Sequence, residues 1–231
     1  MEIKAFHELK QIGKTPVMAK IGGFRPDPTA HSWFAGHFFI HPAQGWPIDE
    51  DGAMIPILQI HLPEVPGGLN GFNECKLIQI FLNQKALPMD ITKNGEGWKL
   101  IEYSTMDGLE VVETPEEVRG LKPFQIQWKK SEQEDHPCWE EAWSYVDLSE
   151  VNESDAATEH FFDQYTNYSF TKIGGYGAYI QSPPHHQPGE FMLQIASEEK
   201  PRFMIGDNGT MYFYYDKDTK NGLCIGIVFK V

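Results

Sequence analysis

Cysteine is scarce in these 231 residues. There are three, Cys75, Cys138 and Cys224, far apart and in no CxxC pair. That excludes a disulfide framework and a cysteine zinc site, and it points to a reducing compartment, hence the cytoplasm. Long hydrophobic runs are missing as well. No stretch of 18 apolar residues occurs, so no membrane-spanning helix is expected. Met1-Glu-Ile-Lys-Ala5 has no basic segment leading into an apolar block, so no secretory signal is expected. Positive charge is in short supply, with 19 Lys and Arg against 33 Asp and Glu and a net charge of −14. A chain of that sign repels phosphate, which argues against nucleic acid as a partner. It suits a soluble surface or steering toward a basic partner.

The familiar catalytic patterns are also missing. No GxGxxG, P-loop, HExxH or GxSxG occurs. Gly22-Gly23 and Gly174-Gly175 therefore read as tight backbone at strand bends, not phosphate loops. His37 and His41 would lie roughly 13 Å apart on a strand, from a rise of ~3.3 Å per residue. Those two and the adjacent His185-His186 fit no recognised ligand spacing, so no metal site is assigned. Asp216 to Gly222 resembles a calcium loop but puts Lys220 at a ligand position, lacks the closing Glu, and reads as a hairpin turn. Cys138 beside His136 is too close in sequence to count as a nucleophile and its base. Binding is preferred over catalysis, and no cofactor is expected.

What the chain does have is aromatic and apolar mass: 13% aromatic, 41% hydrophobic, 6 Trp. Its length suffices to bury a substantial core. Ala5, Phe6, Leu9 and Ile12 recur at helical spacing, with Gly13 as a stop. Lys14 to Ile21 reads as extended. Residues 24–53 are rich in proline and aromatics and read as a long irregular segment folded onto the core. Met54–Ile60 reads as a strand, with Pro56 suggesting a sheet edge. Leu77–Leu82 is apolar enough to be buried on both faces. Phe124, Ile126 and Trp128 alternate with polar residues, as a half-buried strand does. Ser131–Val146 is acidic, carries Trp139 and Trp143, and is left unassigned. Asn152–Tyr165 reads as a helix with a stripe of Ala157, Phe161 and Tyr165, widened by Phe162. Phe191–Ile195, Met211–Tyr215 and Leu223–Val231 read as strands separated by the turn pairs Asn208-Gly209 and Asn221-Gly222.

The second half echoes the first. Leu58-Gln59-Ile60 recurs as Leu193-Gln194-Ile195, Leu77–Phe81 resembles Met211–Tyr215, and Lys20-Ile-Gly-Gly recurs as Lys172-Ile-Gly-Gly. The expected architecture is α+β, mainly β: a roll-like single domain with an internal duplication of a β unit and a few short helices. The copies are placed at about 14–85 and 168–231.

That ordered set, with Trp46-Pro47 and Gly206-Asp-Asn-Gly209 before an aromatic strand, resembles the YwqG-like family, a bacterial domain of unknown function. The resemblance implies a mainly-β roll with an internal repeat, and it carries no established activity and no catalytic residues. Some members are encoded beside toxin systems, which implies an immunity or antagonist role against a basic, toxin-like protein. Two functions follow. One is a cytoplasmic binding protein that turns its acidic face to a basic partner. The other is a small-ligand binder or unrecognised hydrolase with a cleft between the repeats, lined by Trp46, Gln59, Lys172, Tyr176 and Gln194. A buried amide needs hydrogen-bond partners, so Gln59 and Gln194 are read first as closing a network inside each copy. Oligomeric state cannot be read from the sequence.

Overall fold

The structure, a computed structural model, describes residues 3–85, 87, 91–165, 167–179 and 189–215, and the backbone of Leu223–Val228. The elements run α1 (Lys4–Gln11), β1 (Val17–Ile21), β2 (Trp33–Phe34), β3 (Phe38–Ile40), β4 (Ile48–Asp49), β5 (Gly52–Ala53), β6 (Ile55–His61), β7 (Leu77–Leu82), β8 (Thr92–Lys93), β9 (Trp98–Tyr103) and β10 (Glu110–Val112). They continue as β11 (Phe124–Lys130), α2 (Trp139–Ala142), α3 (Ser149–Asn152), α4 (Asp155–Gln164), β12 (Lys172–Ile173), β13 (Glu190–Ala196), β14 (Thr210–Tyr215) and β15 (Leu223–Val228). The mainly-β roll with a few short helices is what the periodicities predict. The turn Asp216–Gly222 and the His185-His186 pair lie outside the described residues.

One antiparallel sheet dominates, with strand order β8-β15-β14-β13-β12-β1-β11-β2-β6-β7-β9. It curls into a half-barrel. β8 and β9 are neighbours in sequence yet cap opposite ends of the sheet, so the chain between them joins the two edges. Trp98 of β9 meets Phe213 of β14 edge-on at 5.4 Å. The concave side holds the main core, including Phe34, Leu58, Ile80, Trp98, Ile126, Leu193, Met211 and Phe213. Each such side chain, taken from water, contributes about 1.5–3 kcal/mol. Strand alternation sends the next residues outward. Phe81 and Ile101 meet Phe38, Ile40 and Met54 beneath β3 and β10. Over the other half the cover is helical, with Leu9, Ala142, Leu148, Val151, Phe161 and Tyr165 forming their own cluster.

The pairing registers repeat across a pseudo-twofold axis between β1 and β11. Val17↔Ile173 on one side matches Phe124↔Phe34 on the other. Trp33↔Gln59↔Gln79 matches Lys172↔Gln194↔Tyr212. Both copies carry the same bulge, between Pro56 and Leu58 and between Phe191 and Leu193. The backbone also answers: Ala35 N–H donates to Ile57 at 2.9 Å, and Gly174 N–H to Met192 at 2.8 Å. The first strand of each copy, β1 or β11, is inserted beside the rest of the other copy, so the halves are interlocked.

Two expectations are corrected by this register. Lys172-Ile-Gly-Gly is the counterpart of Trp33-Phe-Ala-Gly, not of Lys20-Ile-Gly-Gly. Lys20 lies in β1 opposite Gln127, with an exposed side chain. In this register the offset between the copies falls only from 139 at Ala35/Gly174 to 135 at Ile57/Met192. Pro56 sits in an interior strand, not at an edge. It is tolerated there because β2 is only two residues long and ends at Phe34, opposite Leu58.

The 24–53 segment is less irregular than expected. It contributes β2 to the main sheet and β3–β5 to the outer cover, and it folds Phe34 fully into the main core and Phe38 fully into the cluster beneath β3 and β10.

Candidate functional site

The five residues first considered for ligand binding are not gathered around one cleft. Gln59 and Gln194 are fully buried at equivalent positions. Gln59 accepts from Phe39 N–H and donates to the carbonyls of His31 and His37. Gln194 accepts from Ala178 N–H and donates to the carbonyls of Tyr168 and Phe170. Each amide therefore ties an outer loop to the sheet inside its own copy. Gln79 Nε2 donates to the Phe39 carbonyl and Tyr212 Oη to the equivalent Ala178 carbonyl, so even this bond is kept with a different side chain. Trp46 packs edge-on against Phe81 at 5.7 Å and donates to the Met54 carbonyl, far along the chain from the other copy's polar residues.

Lys172 and Tyr176 do come together, around a residue the sequence reading passed over. Asp135 is completely buried, and its carboxylate accepts from Lys172 Nζ at 2.6 Å, Tyr168 N–H at 2.9 Å and Tyr176 N–H at 2.9 Å. Lys172 Nζ also donates to Asn167 Oδ1. Burial pulls the ammonium down to about 8, against the opposing pull of the Asp135 carboxylate. Gly175 closes over the Asp135 carboxylate at φ +75°, where any Cβ would strike Asp135 Oδ2. Tyr176 Oη donates to the Ile12 carbonyl, tying in the end of α1. This is a polar layer between sheet and helices, sealed from solvent.

Nucleophiles are not activated among the two cysteines whose side chains are described. Burial pushes both the Cys75 and Cys138 thiols up to about 12. Among the described residues no group of three or more His, Cys, Asp or Glu is placed to hold a metal ion.

The helical layer has the opposite character: it is open, aromatic and acidic. Trp139 of α2 touches Trp143 at 6.0 Å and Phe162 of α4 at 5.6 Å. Trp143 is 42% exposed and Phe162 58% exposed. Phe162 thus faces outward, where the sequence reading placed it in the buried stripe. Ala157, Phe161 and Tyr165 alone make that stripe. Glu140 flanks Trp139, and Glu159 and Asp163 flank Phe162, all three exposed. From Ser131 to Thr171 the chain holds 11 Asp and Glu and no Lys or Arg. The remaining residues hold 22 acidic and 19 basic groups, so this stretch carries most of the net charge of −14. Of the cations of α1 and the chain just after it, Lys4 pairs with Glu8 at 2.8 Å, Lys14 lies 4.0 Å above the Tyr176 ring, and Lys10 is exposed.

A twofold-repeated antiparallel roll with one helical, acidic, aromatic face defines a small single-domain β protein whose two halves have been covered differently. The chain belongs to the family described as domain of unknown function (DUF1963), whose model matches residues 32–221. No functionally curated protein matches it. Among the described residues no helix is long and apolar enough to cross a membrane.

Proposed function

We propose that the protein is a cytoplasmic binding protein whose helical face docks a basic protein segment, in keeping with the YwqG-like resemblance and its toxin-antagonist context. The observation that carries this reading is the exposed Trp143 and Phe162 around Trp139, inside a 41-residue stretch with no Lys or Arg. Exposed aromatic clusters of this kind mark interaction sites, and aromatic anchors dominate interface energies. The surrounding carboxylates speed encounter with a cation-rich partner and repel acidic ones. The Trp faces also take Arg or Lys directly by cation–π contact.

The test uses a synthetic amphipathic helix of Arg and Leu and reads fluorescence anisotropy at low and high salt. The reading requires salt-sensitive binding, weakened at least about tenfold by Trp143→Ala with Phe162→Ala. It also requires Glu140→Lys with Glu159→Lys to remove most of the salt dependence. Equal binding by the aromatic variant and the unchanged protein would refute it.

A further inference from the structure

A cavity of about 380 Å³ opens on the first half, away from the helical face. Its floor is the bend after β2, Ala35-Gly36, with Pro56 of β6. Its walls are Val111 and Val112 of β10, Val118, Leu121 and Pro123. The volume falls in the range of small-ligand sites, which are largely apolar with a few placed polar groups. One cation stands at the rim. Arg119 Nη2 donates to Glu113 Oε1 at 2.9 Å and to the Thr114 carbonyl at 2.9 Å, and Nε donates to the same carbonyl at 3.2 Å. Its Nη1 makes no hydrogen bond among the described residues. The Glu113 side chain is 84% exposed, so this ion pair is weak and easily exchanged.

The duplication supplies an internal comparison. In the second half a cavity at equivalent positions measures about 250 Å³, with Gly174 in place of Ala35 and the larger Phe191 in place of Pro56. The first-half cavity is therefore the roomier of the pair, and it has a guanidinium at its mouth where the second-half cavity is lined by the Lys130 ammonium.

We infer that this cavity binds a small amphiphilic carboxylic acid, its apolar tail between Val112, Val118 and Leu121 and its carboxylate on Arg119 in place of Glu113. A guanidinium offers a carboxylate two parallel N–H donors, and its already fixed Nε and Nη2 contacts hold the fork in position. An uncharged tail of the same length would gain the apolar contact only.

Calorimetric titration of the full chain with hexanoate, octanoate, decanoate and octanol tests this. The expected result is one octanoate per chain, with affinity rising about fourfold for each methylene until the cavity is full. Octanol should bind at least about tenfold more weakly than octanoate. Arg119→Gln should reduce octanoate to the level of octanol, and Glu113→Gln, which removes the competing carboxylate, should strengthen it. Val111→Trp, a filler placed on a half-exposed strand position, should abolish binding without lowering Tm. No saturable octanoate binding, equal binding of octanoate and octanol, or indifference to Arg119→Gln each overturns the inference. The amphipathic-helix titration on the helical half is independent of these outcomes.

Discussion

At the scale of single residues the decisive groups are buried and polar. Asp135 and Lys172 are both 0% exposed, and their pair links the chain at 135, at 167–168 and at 172–176. Removing one partner of such a pair leaves a charge in a low-dielectric interior, which costs about 3–5 kcal/mol. Lys172→Met is expected to destabilise by that amount in denaturant titrations followed by tryptophan fluorescence. Lys172→Met combined with Asp135→Asn should cost less than the two single changes together, because the uncompensated charge is gone. His136 next door is 7% exposed and packs edge-on to Tyr165 at 5.1 Å. Burial holds its pKa down, against the raising influence of Glu134 and Asp135. In the unfolded chain it titrates near its ordinary value of about 6.5. Below that pH the unfolded state binds a proton that the folded state refuses, so stability falls as pH falls. His136→Leu should flatten this part of the acid limb and leave stability above about pH 7 without a pH trend from this site. A variant whose stability falls with pH as steeply as the unchanged protein would remove His136 as the cause.

At the scale of elements, function and architecture divide along what a short sequence match can and cannot report. Leu-Gln-Ile was legible twice because both copies need the same buried amide at the same place in a bulged strand. Lys-Ile-Gly-Gly misled because a strand end with two glycines at positive φ is a common local solution: φ is 57° and 74° at Gly22 and Gly23, and 68° and 75° at Gly174 and Gly175. The two lysines before them have nothing else in common, one lying exposed near the Phe24 ring and the other at zero exposure on Asp135. The acidic, tryptophan-bearing segment was visible in the sequence, but its short α2 was not, since Pro137 and four-residue helices leave no periodicity to read. Asp135 and Arg119 carried no sequence signal at all; only the folded chain shows what they face. The equivalence of the amides makes a paired prediction. Gln59→Leu and Gln194→Leu each strand one loop N–H and two carbonyls, Gln59→Leu also removes the acceptor of a 2.7 Å bond from Gln79 Nε2, and each should cost about 2–4 kcal/mol. Tyr212→Phe, which removes one bond to the Ala178 carbonyl, should cost about 0.5–1.5 kcal/mol. Costs for the two glutamines that differ severalfold would mean that the copies, though alike in register, do not share their loads.

At the scale of the whole molecule the exchange of first strands makes the duplication inseparable. β1 is paired with β11 and β12, and β11 with β1 and β2, so each copy completes its sheet with a strand from the other. The outer layers add to this. α1 belongs to the N-terminal half but packs on α2–α4, with Tyr165 Oη donating to the Phe6 carbonyl at 2.9 Å. Gly120 is exposed, with nothing within 4 Å of where its Cβ would be, and lies between the copies just before β11. A chain opened there loses no described hydrogen bond of that residue. Fragments 1–120 and 121–231 should each fail to show a cooperative unfolding transition, because each exposes the edge and core surface its partner strand covers. Co-expressed, they should associate and recover the near-ultraviolet circular dichroism of the intact chain. A fragment that folds by itself with a sharp thermal transition would show that the central strands are an ornament on two independent units.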